Sequence, residues 1–162
     1  MTDKNLNDLF FEQMKDIYFA EKQIYKALPK MAKATKVAEL KEAFLTHREQ
    51  TQGHIERLEQ VFEIVGKRAQ TKPCEAIKGI IAEGNETVED FGDSEAIDAG
   101  LIAAGQAVEH YEMARYGTLI AWAKQLGMQD AAALLTETLQ EEKKADQLLT
   151  QIASGKANKL AA

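Results

Sequence analysis

The chain has 162 residues, 45% hydrophobic and 28% charged, which is enough for one domain with a continuous core and unlike a disordered segment. A net charge of −6 with no basic stripe argues against nucleic acid as a main partner and against anionic membranes. No apolar run approaches the ~20 residues of a membrane span, Met1 to Asp8 lacks a signal-peptide core, and the single Cys74 cannot form an internal disulfide, so a cytoplasmic location is expected.

Apolar residues first recur at helical spacing from Leu6 to about Ala34. On this stretch Glu21 falls among Ile17, Ile24, Tyr25 and Leu28, on the side that should be buried. Pro29 removes one hydrogen bond and crowds the preceding turn, which predicts a kink. After a break at Thr35-Lys36, a second helix is predicted from Val37 to Val65. It places His47, Thr51 and His54 among Leu40, Phe44, Leu58 and Val61, with Gln50 at the edge and Glu49 and Glu56 pointing outward.

A longer connection follows, from about Gly66 to Asp93. It opens with a polar run to Pro73 and then predicts a short amphipathic helix near residues 74–91, with Ile77, Ile80, Ile81, Val88 and Phe91 on one side. Cys74 reads as a small structural residue more readily than as an activated thiol. Gly92-Asp93-Ser94 ends the connection, and Asp93 or Ser94 is expected to cap the next helix. A crossover this long lets the helices on either side of it run parallel, which is ferritin-like connectivity.

The third long helix is predicted from about Ile97 to Leu126. Glu112, with Glu109 toward the edge, lies among Leu101, Val108, Tyr116 and Leu119, while His110 points away. Gly127 breaks the chain, and the fourth helix, Met128 to Ile152, carries Glu142 and Asp146 among Leu135, Thr138 and Leu149, with Glu141 at the edge. Residues 1–153 therefore predict an all-α, ferritin-like four-helix bundle with a short fifth helix in the crossover, and residues 154–162 a flexible tail. The two hairpins also look like copies: a shift of 91 positions carries Glu21 to Glu112, Tyr25 to Tyr116, Leu28 to Leu119 and Ala32-Lys33 to Ala123-Lys124.

Acids or imidazoles thus occupy buried phases on all four long helices. Each unpaired charge there would cost several kcal/mol against a total stability of about 5–15 kcal/mol. Two readings follow: a metal centre built from Glu21, His47, His54, Glu109, Glu112, Glu142 and Asp146, or a metal-free polar network in which the histidines are satisfied by hydrogen bonds. A di-iron or di-manganese carboxylate site would take a Glu from two helices and a Glu-x-x-His from the other two. Here that pattern is approximate, because no Glu-x-x-His occurs. Tyr25 and Tyr116, one turn from Glu21 and Glu112, are candidates to hydrogen-bond ligand carboxylates. No catalytic residue is assigned.

The stretches Tyr18-Phe19-Ala20-Glu21-Lys22-Gln23, Phe44-Leu45-Thr46-His47, His54-Ile55-Glu56-Arg57-Leu58, Val108-Glu109-His110-Tyr111-Glu112 with Tyr116-Gly117-Thr118-Leu119, and Leu139 through Asp146 resemble the bacterial YciE/YciF-like stress proteins over nearly the whole chain. The resemblance implies a ferritin-like, rubrerythrin-related bundle, a homodimer and a stress-response role. It also carries inward acids and a histidine onto Glu21, His47, Glu109, Glu112, Glu142 and Asp146, with Gln50 standing where relatives often have Glu. The function expected is a stress-response protein that binds one or two iron or manganese ions and, if an enzyme, acts as a di-metal oxidase or peroxidase. The alternative is a non-enzymatic structural or partner-binding protein with a structural metal or none.

Overall fold

The computed structural model describes residues 3–162, all of whose regular elements are helical. They are α1 (Leu6–Ala34), α2 (Ala38–Ile64), α3 (Glu75–Phe91), α4 (Ile97–Gln125), α5 (Gln129–Ile152), a π-helical turn at Ala153–Ala157, and α6 (Asn158–Ala161). Asn5 starts α1 with a reciprocal cap: its side chain accepts from the Asn7 and Asp8 backbone N–H groups, and the Asp8 carboxylate accepts from the Asn5 N–H. Pro29 sits within α1, which continues past it to Ala34.

Glycine ends both α2 and α4. Gly66 and Gly127 have φ of +67° and +75°, the left-handed conformation that only glycine adopts without a Cβ clash. At each, the following N–H reaches back to a carbonyl of the last turn: Lys67 to Phe62 and Met128 to Ala123.

The start of α2 has no cap of its own. The buried carboxylate of Asp98 on α4 instead accepts from the Lys36 N–H at 2.9 and 3.2 Å and from the Val37 N–H at 2.9 Å. One side chain thereby ties the two hairpins together. Neither Asp93 nor Ser94 is the cap of α4. The helix begins at Ile97 with Ala96 in the N-cap position, and the Ala96 N–H donates to Ser94 Oγ.

The short turns make α1–α2 and α4–α5 antiparallel hairpins. Between hairpins, His47 faces Glu142 while Arg57 faces Glu137 and Thr138, so α2 and α5 also run opposite ways. Both α2 and α4 are therefore antiparallel to α5 and parallel to each other, as the long crossover predicts. The neighbours around the bundle are α1–α2, α2–α5, α5–α4 and α4–α1, with α3 laid across α1 and α4. Met14, Ile17, Leu40, Leu58, Leu101 and Leu119 fill its centre. Beyond Ile152, where the sequence reading expects a flexible tail, the chain stays helical. The π turn and α6 pack against α4 and bury Ala157.

Candidate metal centre

Each long helix delivers at least one buried acid or histidine to one level of the bundle. Glu21 comes from α1, His47 and His54 from successive turns of α2, Glu109 and Glu112 from α4, and Glu142 from α5. Glu21, His54, Glu112 and Glu142 have no exposure, Glu109 has 2% and His47 has 6%. His47 Nε2 lies 2.9 Å from Glu109 Oε1 and 3.5 Å from Glu142 Oε2. His54 Nδ1 lies 3.0 Å from Glu142 Oε1 and 3.4 Å from Glu21 Oε1. Two groups result, His47–Glu109–Glu112–Glu142 and Glu21–His54–Glu142, with the ligand atoms in each all within 4.8 Å of one another. Glu142 belongs to both. A set of this kind can hold a metal ion.

Proximity here is not hydrogen bonding. His47 Nε2, His54 Nδ1, Glu21 Oε2, Glu109 Oε2 and both oxygens of Glu112 and Glu142 have no hydrogen-bond partner among the described residues. The ring nitrogens come close to the carboxylates without an N–H pointing along the contact. Such atoms are normally satisfied in a protein interior, and each one left bare costs about 1–3 kcal/mol.

The outer atoms of the same residues are held firmly. The Gln50 side-chain oxygen lies 3.2 Å from His47 Nδ1. An amide oxygen can only accept, so Nδ1 carries the proton and Nε2 is turned inward. Glu141 Oε2 lies 3.2 Å from His54 Nε2, and Arg57 grips the other Glu141 oxygen at 2.6 Å. This Arg–carboxylate–imidazole relay fixes the His54 ring with Nδ1 facing Glu21 and Glu142. Tyr116 donates its hydroxyl to Glu21 Oε1 at 2.6 Å. The Thr51 hydroxyl donates to the His47 carbonyl and stays within its own helix.

Burial and crowding set the charges. Burial first, then the charges of Glu142, Glu21 and Glu109, push Glu112 well above the usual carboxylate range. Burial and Glu109 do the same to Glu142. Burial would also raise Glu109, but His47 beside it brings it below its ordinary value. Burial pulls His47 down and the Glu109 charge more than reverses it. For His54, burial is likewise outweighed, by Glu21, Glu112 and Glu141, and the imidazole is pushed up to about 9.

Six of the seven residues predicted for the site therefore converge. Asp146 does not. It is half-buried and its carboxylate meets Gln106 and His110 on the outer side of α4. One turn beyond Glu142, it is rotated by roughly 40° away from the bundle axis. Glu109, read at the edge of its helix, is fully drawn in. Tyr25 does not copy Tyr116: its ring lies under the Arg48 guanidinium at 4.2 Å. The Glu141–Arg57 relay was not foreseen. Its signal was Arg57, one turn after His54 on the same side of α2.

The comparisons with known proteins agree with this fold. The model of a domain of unknown function, DUF892, matches residues 5–162. Protein YciF of Escherichia coli (strain K12) is 47% identical over 162 residues, covering 99% of this chain and 98% of that protein. The crystal structure of the E. coli stress protein YciF matches with a TM-score of 0.92 over 97% of this chain and 99% of that one, at 47% identity. YcfI from Rhodopseudomonas palustris matches with a TM-score of 0.90 at 46% identity, over 93% and 96% of the two chains. With the family model and both relatives spanning nearly its whole length, the chain belongs to the DUF892 family and is YciF-like throughout.

Proposed function

We propose that this protein is a ferritin-like bundle that binds one or two iron or manganese ions between Glu21, His47, His54, Glu109, Glu112 and Glu142 and reacts with oxygen or peroxide. The observation that carries the reading is the set of buried, unpartnered nitrogens and oxygens on four helices, facing one another while their outer atoms are pinned by Gln50, Glu141 and Tyr116. Hard oxygen donors with two imidazoles suit iron and manganese. Bound metal would supply Lewis acidity and, as ferrous iron, electrons for a peroxide.

The protein's part is to hold the donors in place and exclude competing water. Glu142, common to both groups, would supply carboxylate oxygens to whichever group holds an ion. The Arg57–Glu141 pair keeps His54 in the tautomer whose Nδ1 is a free donor. A stress role follows from the likeness to the E. coli stress protein YciF. Homodimerisation in the cytoplasm completes the reading. A main sedimenting species at monomer mass would count against the dimer.

The decisive experiment is metal analysis after anaerobic loading with Fe(II), followed by stopped-flow mixing with peroxide. Glu112→Ala and Glu142→Ala should lose bound metal while remaining helical, and Glu49→Ala, on the exposed side of α2, should keep it. Full stoichiometry in Glu112→Ala, or no uptake by the unaltered protein, would leave the metal-free polar network as the better account. Uptake without peroxide consumption would favour a structural metal.

A further inference from the structure

A cavity of about 130 Å³ lies just beyond the acid–histidine centre, toward the Thr35 end of the bundle. Its walls are mostly apolar, with Leu28, Phe44, Val108 and Leu149 from α1, α2, α4 and α5. Small residues open it. Ala27 and Ala43 line two sides, and at Gly105 an added Cβ would stand 3.2 Å from Leu149 Cδ1 and 3.3 Å from Phe44 Cε1. Exposed Thr46 and Lys144 also line it, so it reaches the surface between α2 and α5.

At the inner end the lining changes character. His47 and Glu109 form part of the wall, and Glu109, 2% exposed, has no partner for Oε2. A mostly apolar pocket of this size has room for a molecule of about one aromatic ring. A buried carboxylate oxygen at one end calls for a hydrogen-bond donor there.

We propose that this cavity binds a small organic molecule with an apolar body the size of one benzene ring and a single hydroxyl directed at Glu109 and His47. This deepens the metal reading by naming the class of molecule that meets the centre from its open side. It does not require metal to be bound.

The test uses the full-length protein, both as purified and after chelation, titrated with p-cresol and with toluene by calorimetry and by methyl-detected NMR. Saturable one-to-one binding is expected for both probes, with p-cresol tighter by roughly tenfold, the worth of a hydrogen bond to a charged group. Nuclear Overhauser contacts from p-cresol to the Leu28, Val108 and Leu149 methyls should place it in the cavity. Ala27→Leu and Ala43→Leu, which fill the space without touching the metal donors, should each weaken p-cresol by roughly tenfold or more and leave Fe(II) stoichiometry unchanged. Absence of saturable binding, contacts to other methyls, undiminished affinity in both filled variants, or toluene binding as tightly as p-cresol would each overturn the proposal. Because binding is read on chelated protein and metal uptake on the variants, failure of the cavity and failure of the metal centre give different results.

Discussion

Replacing Glu112 with Gln should stabilise the metal-free protein and sharply reduce its response to metal. Without a cation the centre holds four carboxylates and two imidazoles, so even with both histidines protonated the balance is 2 − 4 = −2. At least one carboxyl must therefore carry a proton or remain as an uncompensated charge. Glu112, raised by burial and by Glu142, Glu21 and Glu109, is among the first to take it up. Gln has the shape of the protonated acid and no charge to desolvate. Relief of a buried unfavourable charge is worth about 1–4 kcal/mol. In a chain of this length each kcal/mol moves the melting temperature by roughly 2–4 °C, so the chelated variant should melt several degrees above the chelated parent. Metal at a hundred times its Kd should stabilise the parent by about 2.7 kcal/mol, whereas the variant, missing a ligand, should gain far less. Calorimetric melting of chelated and reloaded samples would then show the two proteins exchanging order. A chelated variant that melts below its parent, or one that gains as much from metal, would refute the reasoning.

Three further outcomes follow. His54 titrates near 9 rather than 6.5, so its contribution to metal-free stability is complete below about 6.5 and is lost as pH rises through about 9. Glu112 and Glu142 are raised too, and their neutral forms are likewise lost on going alkaline. The chelated melting temperature should therefore fall from pH 6 to 9.5, and a rise over that range would contradict the charge assignment. Tyr116→Phe removes the hydroxyl that holds Glu21 and should weaken metal by roughly tenfold in a competitive titration, with little change in helicity. Asp98→Ala leaves the Lys36 N–H and the buried Val37 N–H without their shared partner and should cost about 2 kcal/mol in denaturant unfolding, with metal content intact.

The helices were legible because their signals are local. Apolar spacing located α1 to α5, and the end of α4 expected at Leu126 falls one residue from Gln125. What the sequence hid depends on distant neighbours. Asp98 looks like an ordinary first-turn acid of α4, and only the meeting of the two hairpins turns it into the cap of α2. Residues 153–161 lack amphipathic period, yet one small side chain, Ala157, packs against the bundle, and the chain widens into a π turn around it.

At the centre, helical phase identified Glu21, His47, His54, Glu112 and Glu142, which meet inside the bundle. It was uncertain at the margins, because phase gives an angle and not the identity of the helix across the gap. Glu109 is drawn in by His47 and Asp146 is drawn out by Gln106 and His110. The duplication, by contrast, is stronger in the structure than in the sequence: the 91-residue shift carries α1 onto α4 end for end and the start of α2 onto the start of α5. The copies have diverged where chemistry would distinguish them. The positions of His47, Thr51 and His54 in the first hairpin correspond to Thr138, Glu142 and Ala145 in the second. Both imidazoles consequently stand on one side of the centre, and the acid common to both ligand groups stands on the other. Ala145, in the place of a second inward histidine, helps to line the cavity beside them. Loss of symmetry thus turns a repeated hairpin into a centre with a histidine side, an acid side and an open approach.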